Sequence, residues 1–142
     1  MQLWLQIEGS PERIDLPGGG SALIAFMSFA VSRGFGATHP LIALADRLHD
    51  QHKVRMGPLT TFYELEAEDA EDREKLELAY QSPSELATEL EKLVAAMKAD
   101  PACQTFARRG DATAITEQAA ELVHLLAPPA AEGKRVRLVY AL

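Results

Sequence analysis

Asparagine is absent from this sequence, cysteine and tryptophan occur once each, and no long stripe of Lys and Arg appears. Each shortage excludes something. Without Asn there is no N-glycosylation sequon, and Ser, Thr and Asp are left to cap helices. The single Cys103 cannot close an internal disulfide, so an oxidising compartment is not required. Its expected place is in the core, as a small hydrophobe. Nucleic-acid binding is not expected, because neutralising phosphates takes clustered cations. Long apolar runs are also lacking. Ala22–Val31 has ten residues, Ser28 among them, where a membrane span needs about 20. Residues 1–12 hold two acids and no Lys or Arg, unlike the basic start of a secretory signal. No membrane association and a cytoplasmic location are therefore expected.

What is present suits one globular domain, 1–142. Its 142 residues are 47% hydrophobic and 25% charged, ordinary values for a chain that buries a core. The formal net charge of −7 is unevenly placed. Between Glu64 and Glu77 eight acids (Glu64, Glu66, Glu68, Asp69, Glu71, Asp72, Glu74, Glu77) face only Arg73 and Lys75, and that segment supplies −6. The rest of the chain is nearly neutral.

The glycine-led stretch LPGGGSALIAFMSFAVSRGFG, residues 16–36, invites a phosphate-loop reading. A P-loop requires Gly-Lys-Ser/Thr, which occurs nowhere, and Leu23 stands where the dinucleotide pattern wants its third small residue. A weaker possibility is an anion resting on the backbone N–H groups at Gly19, Gly20 and Ser21. The stretch reads best as a helix from Ser21 to Arg33, with Ser21 as N-cap and Gly34 closing it. Leu23, Ile24, Phe26, Met27, Phe29 and Val31 take up nearly its whole circumference, so it must be buried on almost every side. It is a central core helix or, in part, a homo-oligomer interface.

Around it, 2–8 alternate as a strand with Leu3, Leu5 and Ile7 on one face, and 13–16 read as a short second strand. Thr38–Lys53 forms a helix with Leu41, Leu44, Ala45 and Leu48 in one stripe and Pro40 in its first turn. Residues 59–67 read as a strand. The acidic 68–74 is read as a turn leading into a strand at 75–80, although the pairs Asp69/Arg73 and Glu71/Lys75 also suit a helix. Ser82-Pro83-Ser84-Glu85 is a capping box opening a helix that Asp100-Pro101 stops near Ala99. Another helix runs from Ala112 to Leu126, capped by Asp111 and ended by Pro128-Pro129, and 134–141 form the last strand. The expected fold is α+β: a small, mainly antiparallel sheet of N-terminal, central and C-terminal strands covered by about four helices.

No catalytic signature is legible: there is no G-x-S-x-G elbow, no calcium-loop spacing and no Cys–His pairing. Asp46, His49 and Asp50 share a helical face at i, i+3, i+4, so imidazole and carboxylates can converge on one metal. The spacing is not H-E-x-x-H, and a solvated face is the favoured reading. His52 instead continues the apolar stripe, His39 stands at a helix start, and His124 lies on a polar face. The favoured function is a non-catalytic protein-binding module, using Glu64, Glu66, Glu68, Asp69, Glu71, Asp72 and Glu74 to meet a partner with a basic surface. The alternative is a small enzyme or metal-binding protein centred on Asp46, His49 and Asp50. No cofactor is expected under the favoured reading.

Overall fold

The computed structural model describes residues 1–36, 38–66 and 69–142. Among them the chain forms four strands and seven α-helices. In order these are β1 (Gln2–Ile7), β2 (Arg13–Asp15), α1 (Ser21–Val31), α2 (Pro40–His52), α3 (Met56–Leu59), β3 (Phe62–Glu64), α4 (Ala70–Leu78), α5 (Pro83–Ala99), α6 (Pro101–Ala107), α7 (Ala112–Ala131) and β4 (Val136–Ala141). The α+β class holds, with more helices than expected. The sheet order is β2-β1-β4-β3. β1 pairs antiparallel with β2 and β4, placing Leu5 opposite Leu138, while β3 runs parallel to β4, with Tyr63 opposite Val139. The sheet is thus mixed.

Alternation along β1 sends Leu3 and Leu5 into a fully buried core with Leu138 of β4. Trp4 faces the other way, where its indole N–H donates to Asp15 at 2.9 Å and the Arg13 guanidinium lies 4.8 Å from its ring centre. On the core side α5 and α7 pack along one another, and α1 lies among β1, α2 and α7. Leu23, Ile24, Phe26 and Met27 of α1 are fully buried, as are Leu44 and Leu48 of α2, Leu86 and Leu90 of α5, and Leu122 and Leu126 of α7. The apolar wrap of α1 is therefore core for most of its length. Only its end emerges, with Val31 51% exposed and Phe35 beyond it 82% exposed.

Several expectations need correction. The N-cap of α1 is Gly20, not Ser21, at φ 66°. A Cβ at Gly20 would stand 2.9 Å from Leu3 Cβ, so both the left-handed backbone and the packing demand glycine. Where a turn and strand were expected over 68–80, Ala70–Leu78 form α4 instead, residue 68 lying outside the described residues. Asp69 caps it, accepting the Asp72 N–H at 2.9 Å, and Glu71 and Asp72 sit in its first turn, where the helix dipole favours acids. Glu71 and Lys75 pair at 3.9 Å across one turn. The expected strand over 59–67 shrinks to Phe62–Glu64, because Met56–Leu59 close a helical turn whose carbonyls accept the Thr60 and Thr61 hydroxyls.

Asp100-Pro101 ends α5 and also starts α6: Asp100 accepts the Ala102 N–H at 3.0 Å and Pro101 occupies the first helical position. Pro128 and Pro129 do not end α7: proline's φ is itself helical, and the helix continues although each ring removes an N–H donor and crowds the carbonyl four residues back. The stop comes at Gly133, φ 68°, where the Lys134 N–H reaches back to the Pro129 carbonyl at 2.9 Å. Among the described residues no helix is long and apolar enough to cross a membrane.

Candidate functional site

The acidic segment begins at the end of β3 with Glu64 and Glu66 and continues through Asp69 into α4 with Glu71, Asp72, Glu74 and Glu77. All are exposed except the half-buried Asp72. Glu68 lies outside the described residues. α4 has no buried residue at all. Its attachment is polar: Arg137 of β4 donates from Nη1 to the Leu76 carbonyl at 2.7 Å and from Nε to Gln6 at 2.9 Å. The same guanidinium lies 4.7 Å from the Tyr80 ring centre and 4.0 Å from a Glu77 oxygen. A cation therefore rests on the last turn of the helix, where the dipole favours it. Between β3 and α4 a depression of about 300 Å³ is lined by Tyr63, Glu64, Glu66, Asp72, Lys75 and Leu76. On another side Leu78, 82% exposed, stands beside Arg73, Glu74 and Glu77. The surface is thus acidic with one apolar contact point.

Asp46, His49 and Asp50 lie on α2 as the periodicity implies, but the three do not converge, since Asp46 turns to Arg33 while His49 and Asp50 meet each other. Asp46 accepts from Arg33 Nε at 2.8 Å, and His49 meets Asp50 at 2.9 Å on an exposed face. At the glycine turn, the Leu23 N–H that opens α1 donates to the buried Gln118 side chain at 2.9 Å. Of the three amides expected to meet an anion, those of Gly19 and Ser21 already donate to the Leu16 and Gly18 carbonyls. His39 caps α2, with Nδ1 accepting the Leu41 N–H at 3.1 Å and its ring stacked on Phe29 at 3.9 Å. His124 is exposed.

The fold also assembles a cluster that no spacing announces. His52 from the end of α2 meets Asp100 and Cys103 from the α5–α6 junction. One ligand atom from each of the three lies within 4.8 Å of the others, the group of this kind among the described residues. His52 Nε2 is 2.7 Å from Asp100 Oδ2, and Arg47 holds the same carboxylate from Nε at 2.7 Å and from Nη2 at 3.3 Å. The hydrogen bonds from Arg47 and His52 outweigh burial and hold the Asp100 carboxyl well below the usual carboxylate range. Cys103 is fully buried, and burial, with the Asp100 charge adding to it, pushes its thiol up to about 11. A thiol so protonated is no ready nucleophile. Asp100 stands between the other two, so the order is not that of a Cys–His–Asp triad, where the imidazole is central. His52 and Cys103 are 51 positions apart, and the one legible hint was His52 sitting in line with the apolar stripe of α2.

A depression of about 720 Å³ runs between the end of α5, α6 and the start of α7. It offers Lys98 and Arg108 together with Asp111 and Glu117, and so favours neither sign of ligand. Set against protein-family models, curated proteins and solved structures, the chain shows no match to any of them.

Proposed function

We propose that this protein is a non-catalytic binding module that docks a protein partner with a basic surface on α4. The observation carrying this reading is that α4 buries none of its nine residues and presents Leu78 among acids. An element that fully buries no side chain, with Leu76 only half-buried, adds little to the fold, since burial is what stabilises most helices in proteins. Its carboxylates steer a cationic partner, and an apolar contact at Leu78 adds area that desolvates on docking. The acids of β3, Glu64 and Glu66, extend the same field.

A photoreactive side chain placed at Leu78 tests the reading. Incubated with cell lysate, it is expected to give discrete adducts with a basic protein that fade as salt rises. They are also expected to be lost when Glu71, Glu74 and Glu77 are changed together to Gln. The same probe at Glu121 on α7 serves as the control. Equal adducts at both positions, or adducts insensitive to the Gln changes, would overturn the proposal.

A further inference from the structure

We propose that His52, Asp100 and Cys103 form a binding site for a zinc-type divalent cation, with water as the fourth ligand. A thiolate, an imidazole and a carboxylate are the donor set of Zn²⁺ and its Co²⁺ surrogate, whereas Ca²⁺ and Mg²⁺ want oxygen alone. The three donors come from two separate stretches of chain, yet lie within 4.8 Å of one another. His52 Nε2 and Asp100 Oδ2 are hydrogen-bonded at 2.7 Å. A tetrahedral ion between them, about 2.0–2.2 Å from each, needs that separation to open to roughly 3.3 Å. A rotation of the His52 ring supplies this, because its side chain is 28% exposed. Binding replaces the thiol proton of Cys103, which leaves to solvent, while His52 ligates through Nε2 as a neutral imidazole whose one proton sits on Nδ1.

Arg47 already touches two of the three donors: its Nε lies on the same Asp100 Oδ2 that meets His52, its Nη2 on Oδ1, and it also reaches the Cys103 thiol. The Ala102 N–H holds Oδ1 at 3.0 Å; the ion takes the Oδ2 lone pair facing His52 and displaces Arg47 from the thiol. Outer hydrogen bonds of this kind orient a ligating carboxylate. The site is separate from α4 and does not depend on the docking proposal.

The test is titration of the purified full chain with Co²⁺ alone, then with Zn²⁺. One equivalent of Co²⁺ per chain is expected to give a thiolate-to-cobalt charge-transfer band and the visible bands of a tetrahedral ion, both erased by Zn²⁺. Cys103→Ser is expected to lose the charge-transfer band. His52→Ala is expected to weaken binding by more than the roughly 10–100-fold that loss of an outer-shell partner costs. His49→Ala is expected to bind as wild type. No thiolate band from wild-type protein overturns the proposal whatever the variants do. So does a band that survives His52→Ala with unchanged affinity, or one that His49→Ala removes.

Discussion

Glu89 of α5 is a carboxylate with 1% of its side chain exposed, and it ties the loop after α2 to the core. It accepts the Arg55 backbone N–H at 2.7 Å and the Lys92 ammonium at 3.0 Å. Burial opposes its ionised form, but the Arg55 N–H and the Lys92 charge more than offset that and hold the carboxyl below its ordinary value. The native state then binds fewer protons than the unfolded chain over the interval between the two values. Its contribution is fully present above the ordinary glutamate range near 4.3 and is lost as pH falls through the depressed value. Glu89→Gln keeps the acceptor for Arg55 and removes the charge, so it is expected to cost on the order of 1–3 kcal/mol at pH 7. Urea melts from pH 7 to pH 3 check this: the gap to wild type narrows towards acid, and a gap that does not change with pH contradicts it. Phe26, fully buried on α1, was readable from the sequence by its place in an apolar wrap. Phe26→Ala is expected to cost roughly 3–5 kcal/mol in the same melts, and a loss under about 1 kcal/mol would remove Phe26 from the core. Glu89 was not readable in that way. A lone Glu among the polar positions of α5 looks solvated until the Arg55 loop folds over it, and the His52–Asp100–Cys103 cluster was hidden for the same reason.

α4 shows why local signals misled where they conflicted. Leu76, Leu78 and Tyr80 alternate as in a strand, but a strand needs a neighbour, and the cap at Asp69 with acids in the first turn settles the backbone locally. Leu78 in consequence points to solvent. α5, by contrast, was legible to the residue, because the Ser82 hydroxyl and the Glu85 N–H meet at 3.2 Å as a capping box demands. A cap marks a helix start, as Ser82 does, but Asp69 is one acid among many in its segment, and the distant contact that holds a helix to the body is not legible locally. For α4 that contact is Arg137. Arg137→Ala is expected to leave global stability within about 1 kcal/mol if α4 opens independently, since local units open below the global free energy. Amide exchange across Ala70–Leu78 is expected to speed up at least tenfold while α5 and α7 keep their protection. Unchanged exchange in α4 would show that Arg137 does not hold it.

Taken whole, the molecule joins a nearly neutral body to one strongly negative element. Like charges along Glu64–Glu77 repel, and exposed repulsion is screened over a Debye length of about 8 Å at physiological salt and about 3 Å at 1 M. Screening predicts how the fold responds when part of that charge is removed. Glu71, Glu74 and Glu77 are exposed, and Asp69 is best left intact because its carboxylate caps α4. The triple change of these glutamates to Gln is expected to leave the melting temperature unchanged or slightly higher at low salt, since repulsion falls while the weak Glu71–Lys75 pair at 3.9 Å is lost. Wild type is expected to gain more from added NaCl than the triple variant, so the two converge near 1 M. Asp69→Ala provides the contrast: a lost cap costs about 0.5–2 kcal/mol where the helix is coupled to the fold, and salt does not restore it. If the triple variant melts clearly lower than wild type at every salt concentration, the carboxylates hold the fold together through contacts within the chain. The acidic surface would then be a structural element, and a basic partner would have to be sought on the apolar end of α1 around Val31 and Phe35.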